Sequence, residues 1–177
     1  MKIKKSINYG NHTIDQSDVK YVSNVIKNEK LTQGSKVELF EKNLAKKFKS
    51  KYSTVVSNGS SALFLLAKAL NWKKGHTIIT SPITFLATAN CIELCGANTK
   101  FIDIDKKNFT IDPNKVEDYF KKTKKKIKAL IGVDYAGHPC DWESLRYLAN
   151  KYKFTLIDDG CHAMGSKIDN NLGYALK

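Results

Sequence analysis

The sequence predicts an α/β protein with a mostly parallel sheet covered by helices on both faces. Two observations carry that expectation. From residue 52 onward, short apolar runs alternate with longer amphipathic segments, the order that parallel β-α-β connections produce. The run Leu156-Ile157 also ends in Asp158-Asp159-Gly160-Cys161-His162, and open α/β sheets bind ligands beyond the carboxyl ends of their strands.

The elements follow in order. Val19, Val22, Val25 and Ile26 recur at helical spacing across Asp18 to Lys27, with Asp15 or Ser17 available as a cap. Lys30-Leu31-Thr32-Gln33-Gly34 breaks that pattern, and Val37, Phe40, Leu44 and Phe48 set a second amphipathic stripe after Ser35. Tyr52 to Val56 then reads as a strand, Ser60 to Leu70 as a helix and His76 to Thr80 as a strand. Thr84 to Leu94 is a helix, Thr99 to Ile104 a strand, Pro113 to Phe120 a helix and Ile127 to Val133 a strand. Asp141 to Lys151 is a helix and Phe154 to Ile157 a strand, after which Ser166 to Lys177 reads as a turn leading into another element.

Composition narrows the classes. With 177 residues, 42% of them hydrophobic and 27% charged, the chain fits one globular domain. No apolar run is long enough to span a bilayer and no signal core follows Met1-Lys2-Ile3-Lys4-Lys5, so a cytoplasmic location without a membrane partner is expected. The net charge of +13 is almost all lysine, Arg146 being the sole arginine. Phosphates and base edges are gripped best by arginine forks, so no nucleic-acid partner is expected. Cys91, Cys95, Cys140 and Cys161 lack a close Cys-x2-Cys pair, and reduced thiols without a metal are expected.

Chemistry concentrates at the turns from strand to helix. Ser57-Asn58-Gly59-Ser60-Ser61-Ala62-Leu63 opens a helix, so the N–H groups of Gly59, Ser60 and Ser61 could seat a phosphate, with Gly59 allowing close approach. Plain N-capping by Ser60 explains the same residues equally well. No Gly-x-Gly-x-x-Gly and no Walker lysine are present, which leaves a small phosphorylated cofactor rather than a dinucleotide. Phe85, in Ser81-Pro82-Ile83-Thr84-Phe85, falls near the sheet's carboxyl edge, where an aromatic can stack on a flat ring or simply join the core.

Taken with Leu31-Thr32-Gln33-Gly34, Val133-Asp134-Tyr135-Ala136-Gly137 and Asp158 to Gly165, these segments occur in the order of the DegT/DnrJ/EryC1/StrS nucleotide-sugar aminotransferases, which nearly the whole chain resembles. Asn8-Tyr9, Leu31-Thr32-Gln33-Gly34 and the Val133 to Gly137 segment are most similar to the branch that acts on UDP-linked 4-keto-6-deoxy N-acetylhexosamines in pseudaminic acid formation. The resemblance implies the aspartate-aminotransferase (fold type I) large domain, pyridoxal 5'-phosphate, an amino-acid amino donor and a homodimer. It assigns Asp159 to the pyridinium nitrogen, His162 to the phenolic oxygen, Phe85 to the ring face, and Gly59, Ser60 and Ser61 to the phosphate. Tyr9, Lys30, Leu31 and Thr32 match the sugar-nucleotide pocket.

The resemblance also implies that the family's Schiff-base lysine follows Lys177. Residues 1–177 are therefore expected to be an incomplete large domain, without the small C-terminal domain and silent alone. Lys167 and Lys177 are expected to be solvated, and no catalytic residue is assigned. The rivals are a sugar 3-dehydratase of the same fold, with histidine in place of that lysine, a non-catalytic sugar-nucleotide-binding half-protein, and a basic nucleic-acid binder.

Overall fold

The computed structural model describes residues 12–168 and 171–172. The first elements of the described residues are α1 (Gln16–Asn28) and α2 (Ser35–Phe48). Asp15 caps α1: its carboxylate accepts the N–H groups of Ser17 and Asp18, while the Asp18 carboxylate accepts the Asp15 N–H, a reciprocal capping box. The expected amphipathic stripes form, yet neither helix buries a residue fully, and Val19, Val22, Ile26, Val37 and Phe40 are exposed. No element among the described residues covers them.

Tyr52 to Val56, expected as a strand, is not one. Its β-branched residues favour extended backbone, but a strand needs a neighbour to take its N–H and C=O groups. The Val55 N–H donates instead to Glu41 Oε1 of α2 at 2.8 Å.

From there the alternation holds: α3 (Gly59–Ala69), β1 (Thr77–Thr80), α4 (Leu86–Glu93), β2 (Asn98–Phe101) and α5 (Pro113–Lys122). Next come β3 (Ile127–Val133), a 3-10 turn (Tyr135–Gly137), α6 (Trp142–Tyr152) and β4 (Thr155–Asp159). The boundaries depart from expectation by a few residues at most. The four strands form one parallel sheet in the order β2-β1-β3-β4. After Ser166, β5 (Lys167–Ile168) pairs antiparallel with β6 (Asn171–Leu172).

The sheet separates two cores, as the period-2 alternation of strand side chains requires. Ile79 and Leu130 face α5 and α6, meeting Val116, Trp142, Leu145 and Leu148. Ile78, Ala129, Ile131 and Ile157 face α3 and α4, meeting Leu63, Ala67, Cys91 and Ile92. A fully buried isoleucine contributes roughly 2 kcal/mol, so these two layers dominate stability. Cys91 and Cys140 are buried free thiols inside them. With β1, β3 and β4 parallel, their carboxyl ends share one edge, and that edge carries the polar residues.

Candidate functional site

A cavity of about 380 Å³ opens at that edge, within the range of small-molecule sites. Asn58, Gly59 and Ser60 form one wall, and Phe85 and Ala87 from the start of α4 another. Val133, Asp134 and Tyr135 extend from β3, and Asp159, Cys161 and His162 close it from β4.

The helix start is built by Asn58, whose side chain accepts the Ser61 N–H at 2.8 Å. Capping therefore falls to Asn58 and not to Ser60. The first N–H groups of a helix have no partner within it, and Gly59 and Ser60 line the cavity. Ser61 differs: its N–H is taken by the cap, its hydroxyl lies 3.3 Å from Ser57 Oγ, and it does not line the cavity. A Cβ on Gly59 would lie 2.9 Å from Cys161 Sγ, so the absence of a side chain lets the α3 start meet the turn after β4.

Phe85 is 71% exposed and lines the cavity, which removes the core reading for it. Asp159 is 6% exposed. Its Oδ2 accepts the Thr88 hydroxyl at 2.7 Å and its Oδ1 a longer bond, 3.4 Å, from the Cys161 N–H. His162 stands exposed on the turn after β4. Lys30, Leu31 and Thr32 occupy the α1–α2 loop and do not line this cavity. Tyr9 lies outside the described residues.

Two further acids support the edge. Asp134 is 1% exposed, and its Oδ1 accepts the Cys140 N–H at 2.9 Å and the Trp142 indole N–H at 3.0 Å. Burial raises its pKa above the ordinary carboxylate value despite those bonds. Burial, then the charges of Asp134 and Asp159, push Asp158 up to about 7. Asp134 Oδ2 and Asp158 Oδ1 are both buried without a hydrogen-bond partner. Burial first, then contact with Asp159, pushes the Cys161 thiol up to about 12, so it is no ready nucleophile.

Sequence reading missed Asn58, Thr88, Asp134 and Tyr135. Asp134 had a signal, being an acid that ends an apolar strand just as Asp159 does. Among the described residues no cluster of three or more His, Cys, Asp or Glu could hold a metal ion, and no helix is long and apolar enough to cross a membrane.

A helix start for an anion, a buried carboxylate for a cationic N–H and an exposed aromatic lining one cavity suit a small, planar, phosphorylated heterocycle. Comparison with known proteins agrees. The chain is 39% identical over 161 residues to the UDP-4-amino-4,6-dideoxy-N-acetyl-beta-L-altrosamine transaminase of Campylobacter jejuni, covering 91% of this chain and 42% of that protein. It is 29% identical to the GDP-4-keto-6-deoxy-D-mannose 3-dehydratase of Yersinia pseudotuberculosis, covering 95% and 44%. Among solved structures, Helicobacter pylori PseC, an aminotransferase involved in the biosynthesis of pseudoaminic acid, superposes with a TM-score of 0.84 at 33% identity, covering 94% and 44%. The chain thus spans about two fifths of the length of the curated relatives it matches. These neighbours have the pyridoxal-phosphate fold type I, and a 3-dehydratase structure at TM-score 0.86 and 28% identity holds a trapped PLP-glutamate geminal diamine. Residues 12–174 match one family throughout, and the chain belongs to the DegT/DnrJ/EryC1/StrS aminotransferase family.

Proposed function

We propose that this chain supplies the cofactor-holding part of a pyridoxal 5'-phosphate-dependent transaminase that aminates a UDP-linked 4-keto-6-deoxy N-acetylhexosamine. The observation that carries it is the cavity bounded by the α3 start at Gly59 and Ser60 and by the buried Asp159 carboxylate, with Phe85 on its wall. Gly59 and Ser60 would hold the phosphate, and Ser61, which does not line the cavity, would contribute only by fixing the helix start through Asn58. Phe85 would cover the ring face, Asp159 would keep the pyridine nitrogen protonated, and His162 would bind the phenolic oxygen. When bound, the cofactor supplies an electron sink for carbanion chemistry.

The chain's own residues bind and orient. Asp159 presents negative charge from a site with little water, where it holds a proton on a ring nitrogen more firmly than it could in bulk solvent. Phe85 shields that ring. Among the described residues no lysine lines the cavity, so in this reading proton shuttling at the substrate carbon falls to an amine outside them. Tyr9, Lys30, Leu31 and Thr32 belong in this reading to the sugar-nucleotide side, the amino acid is the amino donor, and the working enzyme is a cytoplasmic homodimer.

The higher identity to the altrosamine transaminase than to the 3-dehydratase, 39% against 29%, favours amination. The test is to express the complete reading frame, supply glutamate and the UDP-4-keto sugar, and follow the sugar by mass spectrometry. A glutamate-dependent conversion of the ketone to an amine supports the reading. Loss of the 3-hydroxyl instead identifies the dehydratase, and no change in the sugar rejects both. The 177-residue chain alone is expected to give no product.

A further inference from the structure

Asp159 is tethered by two hydroxyls in series. Thr84 Oγ1 donates to Thr88 Oγ1 at 2.8 Å, and Thr88 Oγ1 donates to Asp159 Oδ2 at 2.7 Å across 71 residues of sequence. Thr88 is fully buried. A threonine inside a helix commonly turns its hydroxyl back onto a carbonyl of its own preceding turn. Here the proton leaves the helix and crosses to the end of β4.

We propose that Thr88, backed by Thr84, is a positioning residue that fixes which oxygen of Asp159 is offered to a ring N–H in the cavity. This rests on reading the cavity as the pyridoxal-phosphate seat. A carboxylate turns about a broad, two-fold torsion, so burial alone does not select one oxygen. The short bond from Thr88 commits Oδ2, while Oδ1 takes only a long 3.4 Å bond from the Cys161 N–H; the Cys161 thiol also contacts the carboxylate, and the two lone pairs of Oδ1 leave it accepting capacity beyond that long bond. Thr84 strengthens the tether, because a hydroxyl that accepts a hydrogen bond becomes a better donor.

The arrangement also ties the carboxylate to the ring wall. The Thr88 N–H donates to the Phe85 carbonyl at 3.1 Å, so one helical turn places both the aromatic and the donor that orients Asp159. The titratable groups sharing this corner are Cys91 of α4, Asp134 beyond β3, Asp158 of β4 and Cys161 after it, with His162 on the same cavity. Substituting Thr88 leaves all of them in place, so a difference between Thr88 variants reports the hydroxyl.

The test uses T88V, T88S and T84V of the 177-residue chain. The first readout needs no ligand: the Thr88 hydroxyl proton, detected by NMR through its own methyl group. Slow exchange in the wild type, with an upfield shift and faster exchange in T84V, supports the tether, and exchange at the solvent rate in the wild type overturns it. The second uses pyridoxine 5'-phosphate, which has no aldehyde and needs no lysine, and follows by absorbance the pH at which the bound ring nitrogen loses its proton. T88V should lower that midpoint by about half a unit to one unit, and T88S should restore it. A midpoint unchanged in T88V overturns the positioning role. T84V should show a smaller shift in the same direction, which keeps the test decisive should T88V fail to fold. Failure of the wild type to bind pyridoxine 5'-phosphate would reject the cofactor seat, while the hydroxyl resonance would still decide whether Thr88 holds Asp159.

Discussion

Gly132 of β3 and Trp142 at the start of α6 are in such close contact that a Cβ on Gly132 would lie 2.6 Å from Trp142 Cη2. The indole lies against bare backbone there, and its N–H reaches Asp134 Oδ1 at 3.0 Å. Packing in one core thereby fixes an acid on the cavity wall. Gly132→Ala should cost about 1–3 kcal/mol through overpacking, read as a lower urea midpoint. An unchanged midpoint would show that the indole moves aside freely.

Asp134 distinguishes two substitutions. Asp134→Ala strands the Cys140 N–H and the Trp142 indole N–H, each a buried donor, and should cost about 2–4 kcal/mol. Asp134→Asn keeps an oxygen for both donors and turns an amide toward the position of the unpartnered Oδ2, so its cost should stay below about 1 kcal/mol. Equal losses in chemical denaturation would refute this account of the Asp134 hydrogen bonds.

Asp158 makes stability depend on pH. Its folded pKa is raised to about 7 from the ordinary 3.8, so between those values the folded chain retains a proton that the unfolded chain has released. Stability therefore falls as pH rises through that window, and the penalty is complete above about 7. Asp158→Asn should remove this slope and stabilise the protein at alkaline pH by on the order of 4 kcal/mol. Urea midpoints on either side of the window test this, and a slope that survives in the variant assigns it to another group.

Much of the architecture was legible, for reasons visible in particular residues. Ile127 to Val133 is apolar except for Lys128 and is bounded by lysines on one side and Asp134 on the other, and it forms β3 over that same span. Asp159 and His162 were legible because polar residues directly after a buried strand sit at the ligand edge of a parallel sheet. Tyr52 to Val56 was misread because β propensity describes a residue's preference and says nothing of whether a partner strand lies beside it. Thr88 was invisible for a related reason: its role depends on a carboxylate 71 positions away, and as a helical residue next to alanines it reads as filler. The stripes of α1 and α2 revealed helices but not what would cover them.

The most direct measurement is the equilibrium binding of pyridoxine 5'-phosphate to the 177-residue chain, to Asp159→Ala and to Gly59→Ala. The account predicts saturable binding to the wild type and at least about tenfold weaker binding to each variant, a loss of about 1.4 kcal/mol. Asp159→Ala removes the partner of the ring nitrogen, and Gly59→Ala drives a methyl group toward Cys161 Sγ at the phosphate end. Absence of saturable binding to the folded wild type, or equal affinity in all three proteins, would contradict the claim that this cavity is the cofactor seat.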